Sequence, residues 1–398
     1  MLKEIADYRR FKRLSAQDRF IVFYAEHSGY YPYFEGIIKK LTEEYNRTLC
    51  YITSDPHDTI LDNSDPRIRT FYLNRLLPFF MAFVGCKVFV MTLTDLNNFH
   101  LKRSINPVHY VYVFHALVST HMMYRYGAFE HYDCILCAGP HHVEETRQHE
   151  RINNLPPKTL IEAGYYPLER IYQDYQEYIR QKPSRADGKT ILIAPSWGTD
   201  NVLESCGEQL VGLLLRERYQ VIVRPHPETV KRSLGLIAHL TTKFGRSPNF
   251  TLEKSIATHD SLLRADVLIC DCSGVALEYA LGTERPVLFL DVPVKIKNAK
   301  YRDLNIEPLE LAIRTKIGVI VKPEELATVP TVISQLISAA PQYRSAITKL
   351  REQYVFHFGK SAEIGADYIQ QLIPQESTPL KKGKITKRIA KGNFKKCA

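Results

Sequence analysis

Two segments of the chain place residues that can bind phosphate directly after apolar runs. Arg224-Pro-His-Pro227 follows the run at residues 221–223, and Asp271-Cys-Ser-Gly274 follows the run at residues 267–270. Short apolar runs are typical of buried strands, and open parallel sheets bind ligands at the carboxyl ends of their strands. The two segments therefore predict a site for a nucleotide diphosphate at one edge of a sheet.

Arg224 and His226 carry the chemistry of the first segment. Pro225 and Pro227 fix the backbone φ on either side of the histidine, which holds the imidazole in one direction. A guanidinium can bind two phosphate oxygens at once, and an imidazole can donate or accept a proton. We therefore predict that Arg224 and His226 act on a transferred phosphate. The alternative is a surface turn without a ligand.

The second segment predicts a helix start that binds a diphosphate. Residues 275–281 are apolar enough to pack on the sheet as a helix, with Ser273 as its cap. The backbone amides from Gly274 onward would bind an anion that the helix dipole favours. Asp271 closes the preceding strand and is predicted to help bind the nucleotide. Glu278 is predicted to accept hydrogen bonds from ribose hydroxyls. Simple helix capping is the alternative.

A third polar group follows the predicted strand at residues 190–194, in Ala194-Pro-Ser-Trp-Gly-Thr199. We predict that the Ser196 hydroxyl and the Gly198 amide contact a phosphate or the acceptor. Trp197 is the only tryptophan of the chain. Its large ring predicts either a wall of the ligand cleft or a purely packing role.

One histidine differs from the other seven that lie between residues 100 and 149. His115 ends the β-type run at residues 108–114 and precedes the small Ala116, so it would lie at the ligand-facing edge of a sheet. We predict that His115 is the general base for an acceptor hydroxyl. A core histidine bonded to the backbone is the alternative, and His27 and His121 are weaker candidates for the same role.

The histidines and cysteines do not predict a metal site. No histidine pair has the i, i+4 spacing with a flanking carboxylate that zinc enzymes usually show. Cys134 and Cys137 lie in one strand-like run, where their odd separation points the side chains to opposite faces. We therefore expect no metal and no other cofactor. The eight scattered cysteines favour a reducing compartment, the cytoplasm.

Predicted strands alternate with helical stretches along the whole chain, which would bring these groups together. In the first half the strands are expected at residues 21–26, 49–53, 88–93, 108–114, 134–138 and 160–163. In the second half they are expected at residues 190–194, 220–223, 267–270, 287–290 and 318–321. This rhythm is typical of parallel sheets covered by helices. We predict an α/β fold with two doubly wound Rossmann-like domains that face each other across a cleft.

A chain of 398 residues is too long for one ordinary core. Residues 172–189 lack a strong apolar period and are interpreted as a linker helix and boundary. We therefore predict an N-terminal, acceptor-side domain at 1–180 and a C-terminal, nucleotide-binding domain at 181–373, followed by a basic tail at 374–398. The last helical region, 341–373, is expected to cross back to the first domain.

The net charge of +10 is concentrated in the tail, because residues 380–398 contain eight Lys or Arg and no acid. The nearly neutral body argues against a nucleic-acid partner. Residues 381–396 instead predict contact with an anionic membrane surface, with a solvated tail as the alternative. Residues 1–19 lack the apolar core of a secretory signal, and the longest apolar stretch, 77–93, is too interrupted to span a bilayer. These features predict a cytoplasmic protein, peripheral at the inner face of the cell membrane.

The motifs resemble those of the CDP-glycerol glycerophosphotransferase family, the teichoic-acid primases and polymerases and their relatives. The resemblance rests on His115-Ala116, on Arg224-Pro-His-Pro227 and on Asp271-Cys-Ser-Gly274 with Glu278, and it covers residues 108–321. It implies a GT-B-like fold and transfer of a polyol phosphate, above all glycerol phosphate, from a CDP-polyol. The acceptor would be a hydroxyl of a membrane-linked surface polymer, either lipid-linked or glycan, and CMP would be released without a bound metal.

The same resemblance implies roles for single residues. His115 would be the base, His226 would assist the phosphate or the leaving group, and Ser273 and Gly274 would bind the diphosphate. The chain departs from the family at Gly274, where a second hydroxyl residue is common, so the backbone amide is expected to bind in its place. Three alternatives stay open: a GT-B glycosyltransferase that uses a nucleotide sugar, a nucleotide-sugar 2-epimerase, and an inactive scaffold that binds the membrane through its tail.

Overall fold

A computed structural model describes residues 1–181, 188–254 and 258–374, which form two parallel sheets. The strands of the first sheet are β1 (Ile21–Ala25), β2 (Leu49–Thr53), β3 (Ile68–Tyr72), β4 (Val88–Met91), β5 (His109–Val113), β6 (Cys134–Cys137) and β7 (Thr159–Glu162). The strands of the second sheet are β8 (Thr190–Ile193), β9 (Gln220–Val223), β10 (Phe250–Leu252), β11 (Val267–Cys270), β12 (Val287–Leu290) and β13 (Gly318–Val321).

The two sheets have the same winding. The first has the order β3-β2-β1-β4-β5-β6-β7 and the second the order β10-β9-β8-β11-β12-β13, with every neighbouring pair parallel. The chain reverses its direction of winding between β1 and β4, and again between β8 and β11. Such switch points open a crevice at the carboxyl ends of the strands, where ligands bind.

Helices cover both faces of each sheet, which is why most strands are continuously apolar. Those that precede β8 are α1 (Leu2–Arg13), α2 (Tyr31–Lys39), α3 (Leu77–Phe83), α4 (Thr120–Met123), α5 (Pro140–Ile152) and α6 (Tyr166–Gln181). Those that follow β8 are α7 (Val202–Arg216), α8 (Pro227–Arg232), α9 (Leu234–Phe244), α10 (Asp260–Arg264), α11 (Gly274–Thr283), α12 (Leu309–Ala312), α13 (Arg314–Ile317), α14 (Val329–Ser338), α15 (Ala340–Tyr354) and α16 (Ser361–Gln371). A π-helical turn, Lys40–Glu44, extends α2.

The predicted fold class is confirmed, and two strands that sequence reasoning missed are both at a sheet edge. β3 buries only Phe71 of its five residues, and β10 has three residues. Neither strand has the unbroken apolar run that marks a buried strand of a parallel sheet. The opposite orientation predicted for Cys134 and Cys137 is confirmed, because they belong to apolar layers on opposite faces of the first sheet.

The last helix, α16, returns to the first sheet, whereas α15 of the same region packs on helices of the second sheet. α16 packs against α2, and two glycines make the close approach possible. A Cβ atom on Gly365 would lie 2.8 Å from the Ile37 side chain, and one on Gly36 would lie 2.5 Å from Tyr166 and 2.8 Å from Ala362. The structure thus has a first lobe around β1–β7, closed by α16, and a second lobe around β8–β13.

The stretch interpreted as a linker is helical up to Gln181, the end of α6. The domain boundary between residues 180 and 181 stays a prediction, because residues 182–187 are outside the described ones. The basic residues 381–396 of the predicted tail also lie outside them. Within the described ranges, no helix combines the length and the apolar character that crossing a bilayer requires.

The two lobes are held together by a segment that follows β12. We call residues 291–310 the strap. The Ser119 amide and hydroxyl of the first lobe each donate to the Glu310 carboxylate at 2.8 Å. The Asn298 side chain donates to the His121 carbonyl oxygen at 2.8 Å, and the Lys297 amide donates to the Met122 carbonyl oxygen at 3.1 Å. The strap therefore fixes the second lobe to the residues that follow β5.

Candidate active site

A cleft of about 490 Å³ lies between the lobes, at the carboxyl ends of both sets of strands. This volume falls in the range of small-molecule sites, roughly 300–1,000 Å³. Seven of the nine residues proposed from the sequence line it: His115, Ser196, Arg224, His226, Ser273, Gly274 and Glu278. The structure thus brings the two histidines and the predicted diphosphate-binding turn into one space. Their individual roles stay predictions.

Two of the nine residues do not line the cleft. Asp271 is 3% exposed, and its carboxylate accepts hydrogen bonds from the Ser196 amide at 2.8 Å and the Ser196 hydroxyl at 3.0 Å. Gly198 has a φ of +137°, so it supplies a turn that other residues rarely adopt. The placement corrects the sequence-based view of both: Asp271 positions Ser196 from behind, and Gly198 shapes the loop.

His115 is surrounded by tyrosines. Its Nδ1 lies 3.4 Å from the Tyr112 hydroxyl. Three further rings have centroids 5.7–6.1 Å from the imidazole, those of Tyr30, Tyr33 and Tyr124. Burial, and then the nearby Lys297 ammonium, lower the pKa of His115 to about 4. The imidazole is therefore neutral at pH 7 and can accept a proton from a hydroxyl.

His226 is held by its own turn. Its Nδ1 accepts a hydrogen bond from the Glu228 amide at 3.1 Å and so caps α8. Burial, and then Lys295, lower the pKa of His226 to about 4, which keeps the ring neutral. Because Nδ1 accepts, the assigned tautomer carries its proton on Nε2. This nitrogen is the one left to donate to a phosphate oxygen in the cleft.

Arg224 brings a fixed positive charge to the end of β9. Its side chain is buried, and Nη1 donates to the Ser261 hydroxyl at 3.0 Å. Burial lowers the pKa of Arg224, but a guanidinium in a protein remains charged. A buried cation that lines a cleft strengthens the attraction for phosphate, because little water is present to screen it.

The start of α11 differs in one respect from the sequence-based expectation. Ser273 precedes the helix, but its side chain accepts no hydrogen bond from the first turn, so the predicted capping by its hydroxyl is wrong. A Cβ atom on Gly274 would lie 3.4 Å from Val118 and 3.7 Å from Ala116 of the first lobe. The helix start therefore faces the loop that follows β5 across a narrow gap, with its amides turned toward the cleft.

Glu278 joins the second lobe to a tyrosine of the first. Its Oε1 accepts a hydrogen bond from the Tyr165 hydroxyl at 2.9 Å. Burial raises the pKa of Glu278 to about 7, against the opposing effects of Tyr165 and Arg224. The group is therefore close to half-protonated at neutral pH. It lines the cleft, as a residue that contacts the donor would, and one of its oxygens already has a partner in the first lobe.

Sequence reasoning missed the aromatic and lysine side chains that complete the cleft. These are Tyr30, Tyr33, Tyr124, Lys231, Lys295 and Lys297. A signal existed for the last two lysines, because Lys295-Ile-Lys297 comes soon after the predicted strand 287–290, at the same edge as the motifs. Tyr30 and Tyr33 likewise follow the first strand closely. The tyrosine-rich and lysine-rich patterns were too common to single out without the cleft.

The remaining histidine candidates have structural partners. His27 lines the cleft, but its Nδ1 accepts from the Gly29 amide at 3.1 Å. His121 lies outside the cleft lining, and its Nε2 is 3.1 Å from the Ile306 carbonyl oxygen. In the parts of the chain that the structure describes, no group of three or more His, Cys, Asp or Glu residues is arranged to hold a metal ion.

A family model described as CDP-glycerol:poly(glycerophosphate) glycerophosphotransferase matches residues 7–363 of the 398-residue chain. The match includes every strand and every cleft residue named above. A search of curated proteins gave no match.

Several solved structures have the same architecture. The wall teichoic acid polymerase TagF, from a crystal soaked with CDPG, is 17% identical, covers 93% of each chain and has a TM-score of 0.61. A second TagF structure is 16% identical, covers 92% of this chain and 93% of its own, and has a TM-score of 0.59. The UDP-GlcNAc 2-epimerase of Methanocaldococcus jannaschii, in complex with UDP-GlcNAc and UDP, is 12% identical, covers 88% and 98%, and has a TM-score of 0.55. At these identities the likeness shows a shared GT-B-like fold.

Proposed function

The chain belongs to the CDP-glycerol:poly(glycerophosphate) glycerophosphotransferase family, and we propose that it transfers glycerol phosphate from CDP-glycerol to a hydroxyl of a membrane-linked surface polymer, with release of CMP. One observation carries the proposal. Imidazoles from opposite lobes, His115 and His226, share a cleft with Arg224 and the start of α11. A phosphoryl transfer needs a base on one side and charge stabilisation on the other, and the two walls offer these separately.

The donor diphosphate would lie against the second lobe. The amides at the start of α11 and the Ser273 hydroxyl offer donors to its oxygens, and Arg224 offers a guanidinium. Three lysines add positive charge to the same cleft, Lys231, Lys295 and Lys297. We propose that no bound metal takes part in neutralising the diphosphate.

The reaction would be an in-line displacement at the β-phosphorus of the donor. The acceptor oxygen forms a bond to this phosphorus, and its proton passes to the neutral imidazole of His115. The bond between the β-phosphorus and the bridging oxygen breaks, and its electron pair leaves with CMP. His226 donates through Nε2 to that departing oxygen, and Arg224 stabilises the charge on the non-bridging oxygens.

A membrane-linked acceptor requires the enzyme to work at a lipid surface, and one face of the first lobe has suitable chemistry. α1 turns both of its acidic residues inward: Glu4 is 1% exposed and Asp7 is 9% exposed. Their carboxylates accept hydrogen bonds from the backbone near β3 and α3. All five basic residues of α1 are exposed, namely Lys3, Arg9, Arg10, Lys12 and Arg13.

Aromatic side chains lie next to this basic helix. Phe79 and Phe83 of α3 are 52% and 41% exposed, with ring centroids 5.0 Å apart, and Phe79 contacts Tyr8 of α1 at 5.7 Å. Lys12 donates to the Phe83 carbonyl oxygen at 3.5 Å. Exposed aromatic rings beside exposed basic residues fit an anionic lipid surface, where the rings enter the headgroup region. We propose that this face, with the predicted basic tail, holds the enzyme at the inner face of the membrane.

Vesicle binding tests this membrane surface. The double variant Phe79→Ser/Phe83→Ser and a chain that ends at residue 374 are sedimented with phosphatidylglycerol and with phosphatidylcholine vesicles. We expect wild-type protein to bind the anionic vesicles only, and the double variant to lose several-fold of this binding even with the tail present. Ile152→Ser, which changes an exposed residue of α5, is the control. Equal binding by the double variant and wild type would contradict the proposed face.

Product analysis tests the activity itself. Purified protein is incubated with a lipid-linked acceptor and, in separate reactions, CDP-glycerol, CDP-ribitol or UDP-GlcNAc. We expect CMP from CDP-glycerol and an acceptor that gains glycerol phosphate by mass spectrometry. Release of UDP with a glycosylated acceptor would indicate a glycosyltransferase, and an isomerised nucleotide sugar would indicate an epimerase. Either result without turnover of CDP-glycerol would overturn the proposal.

A further inference from the structure

Two lysines of the strap reach the cleft, and nothing in the family match assigns them a role. Lys295 is half-buried, and Lys297 lies at the mouth of the cleft. Within residues 1–181, 188–254 and 258–374, neither ammonium group is within salt-bridge distance of a carboxylate. By contrast, Lys231 of the same cleft pairs with Glu228 at 3.4 Å. The two strap lysines thus bring positive charge to the cleft without a direct salt bridge among the described residues.

The surroundings of the two ammonium groups disfavour their charged forms. Burial, and then the Lys297 charge, lower the pKa of Lys295 to about 8. Burial, and then Arg125, lower the pKa of Lys297. A lowered lysine pKa means that the charged form is destabilised where it stands. A bound anion would remove this penalty, and a diphosphate is the anion that the start of α11 is suited to hold.

The strap also fixes where the two lysines are. The Lys297 amide is bonded to Met122, and the next residue, Asn298, is bonded to His121. These anchors belong to the chain segment that begins with His115. The lysine backbone therefore keeps a set distance from the first-lobe histidine, while the flexible side chains can reach into the cleft.

The Lys295 ammonium group makes a cation–π contact with Trp197. Its Nζ lies 2.8 Å from the centre of the Trp197 ring and donates to the Trp197 carbonyl oxygen at 3.2 Å. An indole ring holds a cation more weakly than a set of charge-assisted hydrogen bonds to phosphate does. Phosphate would therefore compete successfully for the ammonium group.

We propose that Lys295 and Lys297 bind the phosphate oxygens of the donor, and that Lys295 leaves the Trp197 ring to do so. The identity of the donor rests on the proposed function, but the binding itself does not. Two cationic side chains from the strap would then close over a diphosphate whose other side lies on the start of α11. The donor would be enclosed by one segment that the first lobe holds in place.

Ligand affinity tests the assignment directly. Wild-type protein, Lys295→Met, Lys297→Met and the control Lys300→Met are titrated with CDP and with cytidine by calorimetry. Lys300 is in the same strap but outside the cleft lining, with its ammonium over the Tyr126 ring. We expect each cleft variant to lose about 10- to 100-fold in affinity for CDP, the size of one charge-assisted bond, and none for cytidine. An unchanged affinity for CDP in both cleft variants would overturn the proposal.

Fluorescence separates phosphate binding from a merely structural role. Trp197 is the only tryptophan, so its emission reports the position of the Lys295 charge without added label. We expect CDP and inorganic pyrophosphate to change the emission of wild-type protein, and Lys295→Met to have altered emission that neither ligand changes further. Lys295→Arg should restore most of the affinity for CDP. If Lys295→Arg binds CDP as weakly as Lys295→Met, the positive charge at residue 295 does not contribute to CDP binding. The assignment would then be wrong.

These measurements need no turnover, so they fail independently of the proposed function. The lysine variants could lose CDP affinity in a protein that transfers no glycerol phosphate. That result would support phosphate binding by the lysines and contradict the proposed reaction. The lysine variants could instead transfer glycerol phosphate and bind CDP like wild type. That result would support the proposed reaction and contradict the role of the lysines in it.

Discussion

The two walls of the cleft are built from different chemistry. The first lobe presents aromatic rings around His115, three of them within about 6 Å of the imidazole centre. The second lobe presents charge and amides: Arg224, the lysines and the start of α11. An apolar wall protects the neutral form of a base, and a cationic wall attracts an anion. Under the proposed function, the first lobe would accept the proton and the second lobe would bind the phosphate.

The two histidines nevertheless have the same pKa, about 4, and for the same first cause, burial. Each also has a lysine of the strap as its second cause, Lys297 for His115 and Lys295 for His226. A base with a pKa of about 4 is weak at pH 7, where the best general bases titrate near the working pH. A bound diphosphate would offset the lysine charges and raise the pKa of His115. Donor binding to the cationic wall would thus make His115, on the opposite wall, a stronger base.

Removing the base of the aromatic wall should have the largest effect. We expect His115→Ala to lower kcat by roughly 10²–10⁴-fold, because an oriented general base contributes that much. The affinity for CDP should stay the same, since the proposed phosphate position is on the other wall. Rapid-quench measurement of CMP release gives the change in kcat, and calorimetry with CDP gives the affinity.

His57→Ala is the matched control for that variant, because His57 is an exposed first-lobe histidine outside the cleft. It should have wild-type kinetics. Full activity in His115→Ala would remove the base from the aromatic wall. A large loss of CDP affinity in the same variant would show instead that the two walls do not divide the work.

Removing a charge from the cationic wall should have the next largest effect. We expect Arg224→Met to weaken CDP binding by about 10- to 100-fold and to lower kcat as well, because the guanidinium would hold charge that grows during transfer. Arg246→Met, an exposed change in the second lobe, is the control. Calorimetry and initial rates measure both quantities. Unchanged CDP affinity in Arg224→Met would contradict the division between the walls.

Weakening the contact between the strap and the first lobe should have a smaller effect, mainly on the free energy of unfolding. Glu310→Ala leaves the buried Ser119 amide and hydroxyl without their acceptor, which should cost about 1–3 kcal/mol in the free energy of unfolding. kcat should fall too, because the strap no longer sets the distance between the lobes. Urea denaturation measures the first quantity, and Glu307→Ala, an exposed residue of the same strap, is the control. A wild-type midpoint in Glu310→Ala would show that the strap does not hold the lobes together.

The pH dependence should reveal the smallest effect. The proposed base, His115, would act only when neutral, so activity should be lost as the pH falls through its pKa. In the free enzyme this pKa is about 4, and kcat/KM should therefore stay level from pH 8 to below pH 6 as far as His115 is concerned. The groups that face this ring are Tyr30, Tyr33, Tyr112, Tyr124 and Lys297.

The tyrosines around the ring have raised pKa values and stay neutral throughout this range, so they add no titration of their own. Bound donor adds negative charge, so the acidic limb of kcat should lie at higher pH than that of kcat/KM. Lys297→Met should raise the limb of kcat/KM by up to about one pH unit, because it removes a nearby positive charge. Identical acidic limbs in all three profiles would contradict the link between the walls.

Central strands and their ends were easier to predict from the sequence than other parts of the fold. Motifs that close a central strand were located correctly, because a continuous apolar run marks the strand and its polar end marks the sheet edge. Strands β3 and β10 were missed because neither has a continuous apolar run: β3 buries only Phe71, and β10 has three residues. The capping by Ser273 was wrong because a residue type allows a cap without enforcing one. Asp271 carried the same strand-end signal as its neighbours, yet its carboxylate turns back to Ser196.

The sequence by itself determined the two parallel sheets and the residues that stand at their carboxyl edges, since local patterns of apolar and polar residues encode both. Only the tertiary structure decided how the edges meet. Ser119 and Glu310 are 191 residues apart in the chain, and their buried contact brings the strap lysines toward His115. No local pattern encodes such a contact, because its free energy arises when two finished lobes exclude water between them.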